Sequence, residues 1–190
     1  MRGPIIAVEG LDGTGKSTTV ALLSVALGAT VVRNPPASVA GARAVADGLP
    51  QQERRAWYLD ANRAAMVEAR AAAELGARVV LDRSVASTLA FGSAERGMTA
   101  TLDNLPDKDL LPDAIVLLTL PETHRRLRLR AGRNATTGEE DRLSTDPAFR
   151  GRVVDGYRQI CSHVVSAAPP PEDVVAAILL QLRALLESRA

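Results

Sequence analysis

Short apolar runs recur along the chain and alternate with longer segments of amphipathic pattern. The apolar runs have the length of buried strands. They cover residues 4–8, 30–32, 78–81 and 114–120, with Val164 and Val165 as a candidate for a short last strand. The longer segments predict helices over residues 16–27, 51–75, 121–130, 147–160 and 172–187. Strands that alternate with helices in this way indicate an α/β fold with a parallel sheet.

Two further segments have neither pattern. Residues 92–113 contain several glycines and prolines and are predicted to be a loop with short helical pieces. Residues 132–145 are polar, carry glycines at both 132 and 138, and are predicted to be a flap. We therefore expect a single domain over residues 1–190, with a lid at about 130–145.

The composition agrees with one globular domain and excludes several classes of protein. Of the 190 residues, 46% are hydrophobic and 24% are charged, which is enough apolar material for a core. The 23 basic and 22 acidic residues nearly cancel, so we expect no general attraction to nucleic acid or to an anionic membrane. A single cysteine, Cys161, excludes an internal disulfide. Because no apolar stretch has the length of a membrane span or a secretory signal, we expect a cytoplasmic protein.

A glycine-rich motif lies between the first predicted strand and the first predicted helix. Residues Gly10 to Ser17 fit the phosphate-loop pattern of a glycine, four residues and Gly-Lys-Ser. The glycines let successive N–H groups point into one concavity, and the following helix adds the positive end of its dipole. In such a loop Lys16 reaches the β- and γ-phosphates and Ser17 binds Mg²⁺. The motif predicts a site for a nucleoside triphosphate with Mg²⁺, and the alternative is a glycine-rich structural turn.

The third predicted strand ends in Asp82, Arg83 and Ser84, at the edge of a parallel sheet where α/β proteins bind ligands. Asp82 is a candidate to order Mg²⁺ through water or to accept a proton. Arg83 is a candidate to hold a substrate phosphate with two hydrogen bonds. The alternative for this pair is an ion pair on the surface. The chain contains no Asn-Lys-x-Asp segment of the kind that reads guanine in GTPases.

Beyond the phosphate loop, further motifs follow one another in the order found in the thymidylate kinase family. They are Glu9 to Thr18, Arg33, Ala61-Asn62-Arg63, Asp82-Arg83-Ser84, Ser87, Ala90-Phe91, Pro112-Asp113, Pro121-Glu122, and Gly138 to Arg142 with Phe149 and Tyr157 beyond. Many families share the phosphate loop, but the ordered set is much more specific. Over most of its length the chain therefore resembles the thymidylate kinase family.

This resemblance implies a fold, a reaction and a set of site residues. The fold is a five-stranded parallel sheet with helices on both faces and a mobile lid, usually in a homodimer. The reaction transfers the γ-phosphoryl group of ATP, with Mg²⁺, to a nucleoside monophosphate. The ATP contacts would be Gly10, Asp12, Gly13, Thr14, Gly15, Lys16, Ser17 and Thr18, with Ser17 and Asp82 at the metal. The acceptor contacts would be Asp12 near the sugar, Arg33, Arg63 and Arg83 near the phosphate, and Leu59, Ser87 and Phe91 elsewhere in the pocket.

Catalysis in this interpretation depends on Lys16, Asp12, Arg83 and arginines of the lid. Position 13 is a glycine, so the chain resembles the family members that supply catalytic charge from the lid rather than from the loop. The lid candidates are Arg128, Arg130 and Arg133. A lid arginine stabilises the charge on the transferring group only after closure excludes water.

The residues that read thymine in the family are replaced here. Leu59 stands in place of the ring that stacks on thymine, Ser84 in place of a tyrosine, and Phe91-Gly92 in place of a Tyr-Gln pair. The chain thus has the family's residues for phosphate transfer but not its residues for reading the base. Two alternatives remain open. One is a kinase whose acceptor is a nucleoside or a nucleotide-like metabolite, and the other is a nucleotide-binding regulatory protein without transfer activity.

Overall fold

A computed structural model describes residues 2–105, 107–132 and 138–189. The strands of this part of the chain are β1 (Ile5–Glu9), β2 (Thr30–Arg33), β3 (Val79–Asp82), β4 (Ala114–Thr119) and β5 (His163–Ser166). All neighbouring pairs are parallel, and the order across the sheet is β2-β3-β1-β4-β5. The central strand β1 is buried along its whole length, as expected for a strand that is covered on both faces. The predicted fold class is confirmed.

The helices connect successive strands and cover both faces of the sheet. They are α1 (Lys16–Leu27), α2 (Ala37–Ala40), α3 (Arg43–Asp47), α4 (Gln51–Glu74), α5 (Val85–Glu95), α6 (Glu122–Gly132), α7 (Gly138–Thr145), α8 (Pro147–Ile160), α9 (Pro171–Gln181) and α10 (Arg183–Glu187). One part of the core lies where α4, α5 and α8 cover the sheet, around side chains such as Leu81, Leu89 and Phe149. The other part lies under α1 and α9, around Leu23 and Ile178.

The structure corrects the predicted elements in three places. The predicted loop over 92–113 begins inside α5, because Ala90 and Ala94 on the inner face of that helix are buried. Part of the predicted flap is the helix α7, whose Leu143 is buried in the core. The predicted final helix is divided into α9 and α10 at Leu182, a side chain that packs into the core at this junction.

Helices α5 and α8 pack closely because α8 presents a glycine to its neighbour. A Cβ added at Gly156 would lie 3.2 Å from the Ala100 Cβ and 3.3 Å from the Ala90 Cα. A Cβ added at Gly151, five residues earlier in the same helix, would meet no atom within 4 Å. The contact at Gly156 sets how near α8, which follows the lid region, lies to α5.

None of the helices in the described part of the chain combines the length and the apolar composition that crossing a membrane requires. The longest, α4, has 24 residues and carries charged side chains along most of its length.

We expect Gly156→Leu to lower the free energy of unfolding by about 1–3 kcal/mol or more, because the new side chain overpacks the contact with Ala90. Gly151→Leu is the matched control. It should leave stability unchanged or raise it by up to about 1 kcal/mol, since leucine is the better helix former. Urea denaturation of the two variants measures both effects. Equal stability of the two variants would contradict the close packing of α5 and α8.

Candidate functional site

The phosphate loop follows the central strand directly and ends in α1. Gly10, Gly13 and Gly15 have φ angles of 143°, 85° and 96°, a region in which residues with a side chain are strained. At Gly13 space is limiting as well, because an added Cβ would lie 2.8 Å from the Leu129 Cγ and 3.0 Å from the Arg125 carbonyl oxygen. Helix α6 therefore rests against the loop, and this contact excludes a side chain at position 13.

Lys16 is the first residue of α1, and its side chain is buried beneath the loop. Its Nζ donates to the Leu11 carbonyl oxygen at 3.0 Å and to Asp12 Oδ1 at 3.3 Å. Burial, and then the neighbouring Arg83 guanidinium, lower the pKa of Lys16 from 10.5 to about 8, although the Asp12 carboxylate acts in the opposite direction. The charged form of Lys16 is therefore destabilised in the ligand-free protein, and a bound phosphate would offset this destabilisation.

Asp12 and Arg83 bring the loop and the end of β3 together. Arg83 Nη2 donates to Asp12 Oδ1, the same oxygen that accepts from Lys16. The Arg83 backbone has a φ angle of 74°, the left-handed conformation that non-glycine residues rarely adopt. Such strain persists only where the surrounding structure fixes it. Lys16 and Arg83, which the sequence predicts to act together with Asp12, thus both contact its carboxylate.

The Arg83 conformation is fixed by a buried carboxylate for which the sequence predicts no role. Glu9, the last residue of β1, is fully buried. It accepts four hydrogen bonds, from the N–H and the hydroxyl of Ser84 and from the N–H and the hydroxyl of Ser87, at 2.7–3.3 Å. Ser87 Oγ also lies 2.9 Å from the Tyr157 hydroxyl of α8 and 3.4 Å from Arg83 Nη1. Burial raises the pKa of Tyr157, so its proton remains available for this contact.

The arginines of α6 divide into two groups. Arg125 is almost fully buried, forms a two-point ion pair with Glu122, and donates to the Asp12 carbonyl oxygen at 2.9 Å. Arg128 donates to the Thr14 and Ala167 carbonyl oxygens. Both side chains hold the phosphate loop. Arg130 is exposed near the end of α6.

Arg133, the other lid candidate, lies outside the described residues, as do 134–137 of the expected lid.

One cavity lies between α4 and α5, and we call it the α4–α5 cavity. Its lining includes Arg43, Arg54, Arg55 and Arg83, and Glu95 is the only acidic side chain among the described residues that line it. The remaining lining residues are Asn34, Pro35, Gln51, Tyr58, Ser84, Ser87, Thr88, Phe91 and Gly92. Such an excess of arginine suits an anionic ligand.

A second cavity, the loop cavity, opens over the phosphate loop. It is lined by Asp12, Gly13, Gly15, Lys16, Ser17, Thr18, Arg43, Asp47, Asp82, Arg83 and Arg128. Ser17 and Asp82, the predicted metal ligands, both line it. A hydroxyl and a carboxylate are oxygen donors of the kind that Mg²⁺ takes, with phosphate oxygens and water completing its shell. Arg43 and Arg83 line both cavities, so the two cavities meet at these guanidinium groups.

Three residues that the sequence predicts at the acceptor do not line the α4–α5 cavity. Leu59 packs against the core rather than lining the α4–α5 cavity. Arg63 is exposed, donates to Asp60 at 2.6 Å, and lies 4.0 Å from Asp107. Arg33 is exposed at the end of the edge strand β2. Ser87 and Phe91, by contrast, line the cavity as expected.

Several residues at the site carried only weak signals in the sequence. Arg43, Arg54 and Arg55 belong to an arginine-rich stretch, and nothing in their spacing shows which of them face inward. For Arg125 the sequence does indicate a partner, because Glu122 lies three residues earlier on the same face of the helix. Glu9 had the clearest signal, because it is an acidic residue that directly continues an apolar strand.

Comparisons with known proteins show which family the chain resembles. The model of the family described as thymidylate kinase matches residues 8–178. A thymidylate kinase from Clavibacter michiganensis is 34% identical over 100% of this chain and 99% of its own length. One from Leifsonia xyli is 33% identical over 95% of this chain and 94% of its own length.

Two further comparisons extend this result. Human mitochondrial UMP-CMP kinase 2 is 32% identical over 92% of this chain, and the match spans 41% of that longer protein. The solved structure of a thymidylate kinase from Candida albicans superposes with a TM-score of 0.72 and 16% identity, covering 100% of this chain and 94% of the other. At this identity the superposition supports the fold alone.

We expect the Lys16 side chain to titrate near pH 8 in the ligand-free protein, because burial and Arg83 disfavour its charged form. The chain has lysines only at positions 16 and 108, so ¹³Cε-lysine labelling gives two signals, and Lys16→Met identifies the first. Nucleoside triphosphate should move this titration to higher pH. A Lys16 signal that titrates near 10.5 without ligand would contradict the expectation.

The same shift makes stability depend on pH. Between about pH 8 and 10.5 the unfolded chain binds more protons at Lys16 than the native protein does, so the free energy of unfolding should rise with pH across this window. Lys16→Met should remove this contribution, and Lys108→Met, the matched control, should retain it. Urea denaturation at intervals of pH measures the slope.

Proposed function

The chain belongs to the thymidylate kinase family of ATP-dependent nucleoside monophosphate kinases, and we propose that it transfers the γ-phosphoryl group of ATP to a dTMP-like monophosphate. The observation that carries this proposal is the meeting of the two cavities at Arg43 and Arg83. A donor phosphate on the loop and an acceptor phosphate at these arginines would be adjacent. The acceptor therefore carries a phosphate, which favours a nucleoside monophosphate over a nucleoside.

In the proposed reaction the phosphate loop binds the donor. The N–H groups from Gly10 to Thr18, the start of α1 and the Lys16 ammonium contact its phosphates. Ser17 and Asp82 would hold Mg²⁺, which would supply neutralisation of phosphate charge. A cavity beside the loop, lined by Thr18, Arg128, Ala167 and Pro169 among others, takes the donor base.

The acceptor lies in the α4–α5 cavity, with its phosphate on Arg43 and Arg83 and its sugar near Asp12. Asp12 orients Arg83 and Lys16 through one shared oxygen, so the two cations converge on the place of transfer. Arg130 and Arg133 are proposed to stabilise the transferring group when the lid closes. Catalysis then follows from positioning and from fixed charges, and no covalent enzyme intermediate is needed.

A homodimer and a cytoplasmic location are further parts of the proposal. The exposed apolar side chains of Val67 in α4 and of Leu75, the residue that follows this helix, offer a surface against which a second copy would pack. Light scattering would measure the mass in solution, and a monomer would overturn the dimer while leaving the transfer reaction unaffected.

The first test is ADP formation from ATP and Mg²⁺ against a panel of nucleosides and nucleoside monophosphates that includes dTMP and dUMP. We expect turnover with one or more monophosphates, none with nucleosides, and loss of turnover in Lys16→Ala but not in Lys108→Ala. Phosphorylation of nucleosides instead would establish the alternative acceptor. Tight ATP binding without transfer to any acceptor would indicate a regulatory nucleotide-binding protein.

The second test separates the candidate acceptor arginines. Because a charged hydrogen bond is worth about 1.5–3 kcal/mol, Arg43→Ala and Arg83→Ala should each raise the acceptor KM by about 10–100-fold. Arg63→Ala is the matched variant on α4, and because Arg63 lines neither cavity we expect a much smaller change in KM. A large rise in KM for Arg63→Ala alone would restore the position expected from the family resemblance.

A further inference from the structure

Arg43, which the proposed reaction places at the acceptor phosphate, extends from a helix that the core barely fixes. It begins α3, a helix of five residues that follows the four residues of α2. In these two helices, all of which the structure describes, Ala46 is the only buried side chain. The Arg43 side chain itself is half exposed. Because a long side chain loses much rotational freedom when it is held in one place, other side chains have to hold this guanidinium where the two cavities meet.

Asp47 and Tyr58 supply these contacts. Asp47 lies one turn after Arg43 in α3, and its Oδ2 is 3.6 Å from Arg43 Nε. The hydroxyl of Tyr58, on α4, donates to Asp47 Oδ1 at 2.5 Å. Burial alone would lower the pKa of Arg43, but the Tyr58 oxygen and the Asp47 carboxylate beside it raise the pKa. The carboxylate therefore connects Arg43 to α4, a helix that buries six of its residues and is fixed by the core.

The three side chains lie where the donor side and the acceptor side meet. Tyr58 lines the α4–α5 cavity, Asp47 lines the loop cavity, and Arg43 lines both. The Arg83 guanidinium also acts on Arg43 and disfavours its charged form. Because two guanidinium groups repel each other, a half-exposed arginine beside Arg83 would turn toward water unless a carboxylate held it. Asp47 is in place to hold it, and the Tyr58 hydroxyl fixes the carboxylate.

We infer that Tyr58 and Asp47 are positioning residues that hold the Arg43 guanidinium at the phosphate of the acceptor. This inference deepens the proposed function and rests on it. Asp47 approaches Arg43 at Nε, and the terminal nitrogens of a guanidinium carry further donors for a phosphate. Both residues act through Arg43 rather than on the transferring group. Their effect on the reaction therefore depends on the presence of Arg43.

The first measurement is the acceptor KM of Tyr58→Phe, with dTMP or whichever monophosphate the wild type phosphorylates fastest. The substitution removes the hydroxyl and keeps the ring. It should raise the acceptor KM by about 3–10-fold, the value of one hydrogen bond, and should change kcat and the KM for ATP by less than about twofold. An unchanged acceptor KM would overturn the inference.

Variants of Asp47 test the second link. Asp47→Ala should raise the acceptor KM at least as much as Tyr58→Phe does, whereas Asp47→Asn keeps an oxygen for the Tyr58 hydroxyl and should restore part of the loss. Glu187→Gln is the matched control, because Glu187 forms an exposed ion pair with Arg183 at the same helical spacing and lines neither cavity. It should leave both KM values unchanged. An equal rise in the KM for ATP and for the acceptor in Asp47→Ala would place Asp47 on the donor side and overturn its assignment.

A double variant distinguishes positioning from direct contact with the acceptor. In the Arg43→Ala background, adding Tyr58→Phe should change the acceptor KM by less than about twofold, because the hydroxyl then has no guanidinium to position. A merely structural role of Tyr58 would lower the urea midpoint without this dependence on Arg43. Effects of the two substitutions that multiply in full would mean that the Tyr58 hydroxyl acts without Arg43, and would overturn the inference.

Failure of the proposed function is separable from failure of this inference. If no monophosphate is phosphorylated, calorimetric binding of dTMP to the wild type, Tyr58→Phe, Arg43→Ala and the double variant decides the point. Weaker binding in Tyr58→Phe that disappears in the Arg43→Ala background would support positioning of Arg43 without transfer activity. Equal values for the wild type and Tyr58→Phe, including absence of binding in both, would overturn it.

Discussion

The geometry of the site depends on one buried carboxylate at the end of the central strand. A carboxylate without contact to water is costly unless donors surround it, and Glu9 has four donors from Ser84 and Ser87. This interaction ties the start of α5 to β1 and places Arg83, which lies between β3 and α5, in its left-handed conformation beside Asp12. The hydroxyl of Ser87 extends the connection to Tyr157 of α8, the helix that follows the lid region. Glu9 thus connects the end of β1, the start of α5 and helix α8 through one group of hydrogen bonds.

A second constraint acts from the opposite side of the loop. Arg125 is buried against the loop and is neutralised by Glu122, and Arg128 donates to the Thr14 carbonyl oxygen. Gly13 leaves the space into which α6 fits, so the base of the lid region and the phosphate loop form one packed unit. An arginine at position 13 would therefore displace α6 from the loop. In the proposed reaction, the charge that assists transfer comes from Arg130 and Arg133, which follow this docked part of α6 in the sequence.

The charges of the two cavities complement a reaction between two phosphate groups. Lys16 is held next to Arg83, and the lowered pKa of Lys16 records the mutual repulsion of the two cations together with burial. Arg43 and Arg83 are common to both cavities, whereas Arg54 and Glu95 neutralise each other at the far end. Arginine and lysine side chains therefore concentrate where phosphates would meet in the proposed reaction.

The sequence by itself determined the parallel sheet and the position of the phosphate loop. Gly10 to Ser17 is contiguous, so its strand–loop–helix context and its Lys16 are local properties, and Asp82-Arg83 is placed by the end of a strand. Which arginines line the α4–α5 cavity was decided only by the tertiary structure. Arg54, Arg55 and Arg63 all lie on α4, and the packing of that helix against α5 turns the first two inward and leaves Arg63 exposed. The burial of Glu9 is tertiary as well, because its four donors are about 75 positions away along the chain and become neighbours only when β3 pairs with β1.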